Sequence, residues 1–265
     1  SPSIWAWRGG RVHKIKRAVD MVLCLFPFEP ALYEKHGVPA SYVGHPLADV
    51  FALQPNREAM RESLQIDQDE IIVALLPGSR EGEVSRMADS FVATAQLLHE
   101  RRPGIRFLAP LVTRETRLLF EGAIYRAEAF EVPITLMFGH ADQAMIAADA
   151  VLVASGTATL EAALLKRPMV IAYKLARLSH FIMKRLAYLP YVGLPNILAG
   201  EFLVPEFIQD AATPEALAGA LERWLDDKAG REKLVEQFAG IHLSLRQNHA
   251  EKAAQALLPL LKEYA

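Results

Sequence analysis

The sequence predicts an α/β fold: a parallel sheet wound by helices. Three observations carry this. Short apolar runs recur from residue 71 to residue 172, bounded by turn residues and almost without charge, as in strands covered on both faces. Between them lie segments with apolar residues three or four positions apart, the spacing of helices with one buried face. Two of the runs also end in small-residue turns that open helices, Leu76-Pro77-Gly78-Ser79-Arg80 and Ala154-Ser155-Gly156-Thr157. Such turns form the ligand-binding edge of parallel sheets.

In chain order, Arg11 to Asp20 reads as a short basic helix and Met21 to Phe26 as a strand stopped by Pro27. A helix over Pro30 to His36 ends at Gly37, and a strand over Ala40 to Val43 closes at Gly44-His45-Pro46. Residues 47–70 are polar and mixed and read as a connector with one helix, Arg57 to Leu64. A cleaner alternation follows. Strand Ile71–Leu76 leads into helix Glu83–Arg101, where Val84, Met87, Phe91, Ala95 and Leu98 share a face. Strand Ile105–Ala109, helix Arg114–Ala129, strand Ile134–Met137 and helix Asp142–Ala148 come next. Strand Ala150–Ala154, helix Thr157–Leu165 and strand Met169–Ala172 complete a five-stranded, Rossmann-like unit. The tail from Thr213 is helical. Residues 71–212 thus read as one complete α/β domain. Residues 1–46 are too few for another and read as the remnant of one, and 213–265 as terminal helices.

Composition narrows the function. At 265 residues and 52% hydrophobic, the chain can bury substantial cores. A net charge of -2 gives no nucleic-acid footprint. Cys24 is the only cysteine, so no internal disulfide forms, and it reads as core packing in a reducing compartment. No apolar run reaches the ~20 residues of a membrane span. The chain opens Ser1-Pro2-Ser3, with no Met and no signal-peptide pattern, and reads as beginning mid-protein. Trp5 and Trp7 near that end suggest apolar surface left without its cover.

The two turns carry the chemistry. At each, backbone N–H groups and a helix dipole favour an anion, and Arg80 adds a planar cation. Ser155 and Thr157 can hold phosphate, and Glu161, one turn into its helix, can accept two hydroxyls of a diol such as ribose. Read blandly, Gly78-Ser79-Arg80 is an ordinary turn with a solvated Arg, Ser155-Gly156-Thr157 a cap, and Glu161 a dipole partner. The second Gly of a dinucleotide fingerprint and the Walker A lysine are both absent. Asn196, in Gly193-Leu194-Pro195-Asn196, sits in a loop able to fold over the crevice, or is a turn former. His45 either faces a cleft or is a turn residue. His13, His36, His45, His99, His140, His180, His242 and His249 show no metal-ligand spacing, so no metal and no cofactor is expected. Lys174 to Tyr191 aligns Leu178, Phe181, Ile182 and Leu186 beside Arg177, Lys184 and Arg185. That suits an anionic membrane surface or lipid, or a packing helix with solvated cations. Arg8, Arg11, Lys14, Lys16 and Arg17 form a second basic cluster.

Six stretches together resemble the lipid-A-disaccharide synthase family. They are Ser1-Pro2-Ser3-Ile4-Trp5-Ala6-Trp7-Arg8, Phe26-Pro27-Phe28-Glu29, Gly44-His45-Pro46-Leu47-Ala48-Asp49, Leu76-Pro77-Gly78-Ser79-Arg80, Ala154-Ser155-Gly156-Thr157-Ala158-Thr159-Leu160-Glu161 and Leu194-Pro195-Asn196. The resemblance implies an inverting, GT-B-type glycosyltransferase with two Rossmann-like domains. Its reaction moves 2,3-diacylglucosamine from UDP-2,3-diacylglucosamine to 2,3-diacylglucosamine 1-phosphate (lipid X), releasing UDP. Gly78, Ser79 and Arg80 would then stabilise pyrophosphate, with Glu83 nearby. Ser155, Gly156 and Thr157 would hold phosphate, Glu161 the ribose, and Asn196 would line the donor site. The resemblance also implies a cytoplasmic protein peripheral on the inner membrane, and leaves a homodimer open. Its acidic base would lie in an amino-terminal part missing here, so this chain is expected to bind UDP weakly without turnover. Left open beside it are another UDP-sugar transferase or epimerase and a non-catalytic nucleotide-sugar-binding module.

Overall fold

The computed structural model describes residues 1–7, 9–175 and 190–263. These fall into two compact units. One comprises residues 1–52, 190 and 239–263, the other 53–175 and 191–238. The stretch 47–70 is therefore divided between them, and so is the helical tail.

The larger unit holds a six-stranded, wholly parallel sheet. Its strands are β3 (Ile72–Leu76), β4 (Arg106–Leu111), β5 (Ile134–Phe138), β6 (Ala150–Ala154), β7 (Met169–Tyr173) and β8 (Glu206–Ile208), in the order β5-β4-β3-β6-β7-β8. β3 and β6 are buried at every residue, as their unbroken apolar runs require. Helices α6 (Glu81–Arg101) and α7 (Arg114–Arg126), with α11 (Pro214–Asp226), cover one face. Phe91, Phe107, Phe120, Leu152 and Leu221 meet in the core they enclose. Helices α8 (Ala141–Ala147) and α9 (Thr157–Leu164) complete the winding. The sixth strand, β8, was not expected. It is only three residues long, half-buried, and contains Glu206, so it lacks a strand's apolar signature.

Helix α5 (Arg57–Ser63) belongs to this unit because Arg61 ties it down. The Arg61 side chain is fully buried. Its guanidinium donates to the carbonyls of Asp67, Gln68, Glu70 and Ala147 and pairs with Asp149 at 2.8 Å. Asp149 also pairs with Arg57 and accepts the Ile72 N–H, so this buried charge is both neutralised and hydrogen-bonded.

In the smaller unit β1 (Val22–Cys24) pairs in parallel with β2 (Ala40–Tyr42), packed by α3 (Glu29–Glu34). Helices α1 (Ile4–Trp7) and α2 (Val12–Lys16) precede them. The predicted basic helix is thus only five residues long, following a 3-10 turn at Gly9–Arg11. Trp5 is not bare surface. It is buried, stands edge-on to Phe26 and Phe28, and donates its indole N–H to Glu29 at 3.0 Å. Glu29, itself buried, also accepts the Ser1 hydroxyl and the Leu25 and Phe26 N–H groups. Burial pushes the Cys24 thiol up to about 12, with the Glu29 charge adding to it, so Cys24 packs rather than reacts.

Helix α4 (Pro46–Val50) and the join between α12 (Lys228–Leu245) and α13 (His249–Glu263) form a clasp in this unit. The His45 N–H donates to the Leu245 carbonyl, and Asp49 accepts the N–H groups of Asn248 and His249. Gly44, at φ +81°, passes so close that a Cβ there would lie 2.5 Å from that of Gln247. Among the described residues, no helix is long and apolar enough to cross a membrane.

Candidate functional site

β3 opens the sheet and β6 pairs with it directly, in register from Val73↔Ala150 to Leu76↔Val153. Strand order runs outward from this pair in both directions, so the crevice at their carboxyl ends is the sheet's switch point. The two expected turns meet there in one cleft of about 480 Å³. Gly78, Ser79, Arg80 and Glu83 line one wall, and Ser155, Gly156, Thr157 and Glu161 another. Pro110 near the end of β4, Val112 just after it, and Ala141 at the start of α8 supply apolar lining.

The two turns differ in how their donors are used. In the β3–α6 turn the amides were expected to be free, and they are not. The Glu83 carboxylate accepts the N–H of Ser79 at 3.1 Å and that of Arg80 at 3.4 Å, and lies 3.4 Å from the Arg80 guanidinium. Arg80 itself reaches out, with 83% of its side chain exposed. Gly78, at φ +127°, makes this possible, since a Cβ there would sit 2.5 Å from that of Glu83. In the β6–α9 turn Gly156 is the N-cap and has no side chain to offer. The first-turn amides of Thr157 and Ala158 find no acceptor among the described residues, and both residues line the cleft. Thr159 turns inward, its hydroxyl donating to the Gly156 carbonyl at 2.7 Å.

Glu161 lines the cleft one turn further on, and no described residue donates to its carboxylate. Burial raises its pKa, and the charge of Asp142 on α8 raises it further. The cleft therefore offers a cation on one wall, and helix amides with a half-buried acceptor on the other. That suits an anionic ligand carrying hydroxyl groups.

Asn196 does not belong to this cleft. It lies on helix α10 (Leu194–Ala199), where a loop was expected, and it is fully buried. Its Nδ2 donates to the Val204 carbonyl and to Glu206 at 2.8 Å, while its Oδ1 accepts the N–H groups of Leu203 and Val204. With both ends of the amide satisfied, Asn196 splices α10 to β8 and has nothing left for a ligand. Glu206 also accepts the Val192 and Gly193 N–H groups, so the Leu-Pro-Asn sequence builds the strand that sequence reading missed. His45 is buried in the smaller unit, where its Nδ1 accepts the Leu47 N–H at 3.3 Å and its ring stacks on Phe26. It is a cap and a packing residue of the clasp. The amphipathic stretch with Arg177, Leu178, Phe181, Ile182, Lys184, Arg185 and Leu186, and Arg8, lie outside the described residues.

Comparison with known proteins bears on the fold and the family. Solved structures with the same fold include sucrose-phosphate synthase from Thermosynechococcus elongatus (TM-score 0.57, 20% identity, 97% of this chain and 62% of that one). UDP-GlcNAc 2-epimerase from Neisseria meningitidis, solved with UDP-GlcNAc bound, matches at TM-score 0.63 and 12% identity, over 92% of this chain and 62% of its own. At such identities these show the fold alone. Sequence relatives are much nearer. The lipid-A-disaccharide synthase of Dechloromonas aromatica is 62% identical over 98% of this chain and 69% of its own length. That of Azoarcus sp. strain BH72 is 60% identical over the whole chain and 68% of its own length. This chain thus spans about two thirds of the relatives it matches. The sequence model of the family described as Lipid-A-disaccharide synthetase runs from residue 1 to residue 259, and with identities this high along nearly every position the chain belongs to that family of hexosyltransferases.

Proposed function

We propose that the cleft between the β3–α6 and β6–α9 turns binds the UDP portion of a UDP-sugar, and that the chain supplies the donor side of lipid A disaccharide synthesis. In the whole reaction, 2,3-diacylglucosamine passes from UDP to the 6-hydroxyl of 2,3-diacylglucosamine 1-phosphate with inversion. The observation that carries this is that two phosphate-type turns from neighbouring strands line one cleft together with Glu161, to whose carboxylate no described residue donates. Thr157 and Ala158 amides, the hydroxyls of Ser155 and Thr157, and the Arg80 guanidinium hold the diphosphate, and Glu161 takes the ribose hydroxyls. As the glycosidic bond breaks, negative charge grows on the departing phosphate. Donors already fixed around it lower the barrier without reorganising. The base that removes the acceptor's proton is assigned to the part of the longer relatives that has no counterpart here.

The smaller unit is read as part of the acceptor-side domain, and the protein as working peripherally at the cytoplasmic face of the inner membrane. Isothermal titration of the folded chain with UDP tests the assignment. Saturable uptake is expected, without disaccharide formation by this polypeptide alone. No heat of binding at millimolar UDP would refute it.

A further inference from the structure

Glu83 sits in the wrong place for a bystander. Its carboxylate occupies the Ser79 and Arg80 amides and neighbours the Arg80 guanidinium, the donors a phosphate would seek on this wall of the cleft. One set of donors cannot serve two anions. Nor can a diphosphate settle freely beside a fixed carboxylate, because like charges in contact repel even in a partly screened site. The opposite wall has no such occupant, for the Thr157 and Ala158 amides are open.

We propose that Glu83 is a resident counter-anion of the cleft, exchanged for the outer phosphate of a nucleoside diphosphate when it binds. This deepens the nucleotide reading and rests on it. The inner phosphate docks on the α9 wall without disturbing Glu83. The outer phosphate takes over the Ser79 and Arg80 donors and drives the carboxylate off them. Arg86, one turn along α6, is a cation within reach of the released side chain. Glu83 holds the turn in shape when the cleft is empty and competes with the diphosphate when it is full. After transfer the same competition helps UDP leave. The residue tunes affinity according to how many phosphates the ligand carries.

The test titrates UDP and UMP into four proteins: the unaltered chain, Glu83→Gln, Glu83→Ala and Glu81→Gln. Glu81 is an exposed first-turn residue of α6 outside the cleft lining, so its variant controls for net charge. Glu83→Gln keeps an oxygen to accept the turn amides and loses only the charge. It should bind UDP about three- to tenfold tighter, the reach of one partly screened charge, and UMP unchanged. Glu83→Ala should melt lower when empty yet gain more in Tm from saturating UDP than the unaltered chain. Glu81→Gln should bind both nucleotides as the unaltered chain does. In the unaltered chain, the carboxyl ¹³C resonance of Glu83 should move with UDP and stay put with UMP, which tests the exchange without any substitution. UDP binding by Glu83→Gln that is equal or weaker, or tighter binding of UMP by the same factor, would overturn the inference while leaving the nucleotide site intact. Failure of the unaltered chain to bind either nucleotide would sink the site itself.

Discussion

Glu161→Gln should trade ligand affinity for stability. Glu161 is half-buried in the cleft wall, and no described residue donates to its carboxylate. A hydrogen bond to a charged group contributes about 1.5–3 kcal/mol, against about 0.5–1.5 for a neutral one. If both ribose hydroxyls donate to Glu161, an amide forfeits about 1.5–3 kcal/mol, or roughly ten- to a hundredfold in Kd for UDP. The 2′-hydroxyl makes this specific. Removing it, by titrating 2′-deoxy-UDP, should weaken binding to the unaltered chain and cost the variant little, so the two changes couple. Stability should move the other way. Burial first, then Asp142, raises the Glu161 pKa, so the folded chain holds a proton that the unfolded chain has already released. Stability therefore falls as pH rises from the ordinary glutamate value through the raised one, and the cost persists at neutral pH. Gln cannot ionise, so the variant should melt above the unaltered chain near neutrality, with the difference vanishing at about pH 4. Calorimetric titration and thermal melts across pH measure both. If both proteins discriminate equally against 2′-deoxy-UDP, Glu161 does not hold the ribose. A variant that loses stability together with affinity would show that the carboxylate is structural.

Asn196→Leu should destabilise the larger unit by about 2–4 kcal/mol in urea unfolding, since it strands the Leu203 and Val204 amides and frees Glu206. The folded fraction should bind UDP within about twofold of the unaltered chain, because Asn196 is far too buried to touch a ligand. In the clasp, burial and then the neighbouring His249 lower the His45 pKa, and its Nδ1 must stay unprotonated to cap α4. The unfolded chain takes up that proton more readily, so stability is full above about pH 6.5 and is lost as pH falls below it. His45→Gln should flatten this slope when unfolding midpoints are compared between about pH 7.5 and pH 5.

What could be read from the sequence was whatever is encoded locally. β6, with five apolar residues between a turn and a cap, stands where its run predicts, and β3 and β7 differ from expectation by one residue at one end. The Gly78 and Ser155 turns share a sheet edge because parallel strands end on one side, so their meeting in a cleft follows from topology. What was hidden depends on partners distant in the chain or on which donor is already spoken for. Trp5 looked like exposed surface because its cover, Phe26, Phe28 and Glu29, lies some twenty residues away. The helix around Arg57 looked like part of a linker because its anchor is Asp149. Asn196 and Glu83 are the instructive pair. Both are polar residues in motifs that sequence reading assigns to the ligand, and composition cannot separate them. Asn196 has every polar atom committed to α10 and β8, and reaching a ligand would cost buried hydrogen bonds with no water to replace them. Glu83 is committed as well, but to long contacts at 3.1–3.4 Å in an open cleft, which a phosphate can replace in kind. The same kind of residue is therefore fixed in one setting and exchangeable in the other, and the difference lies in whether solvent or ligand can take over its partners.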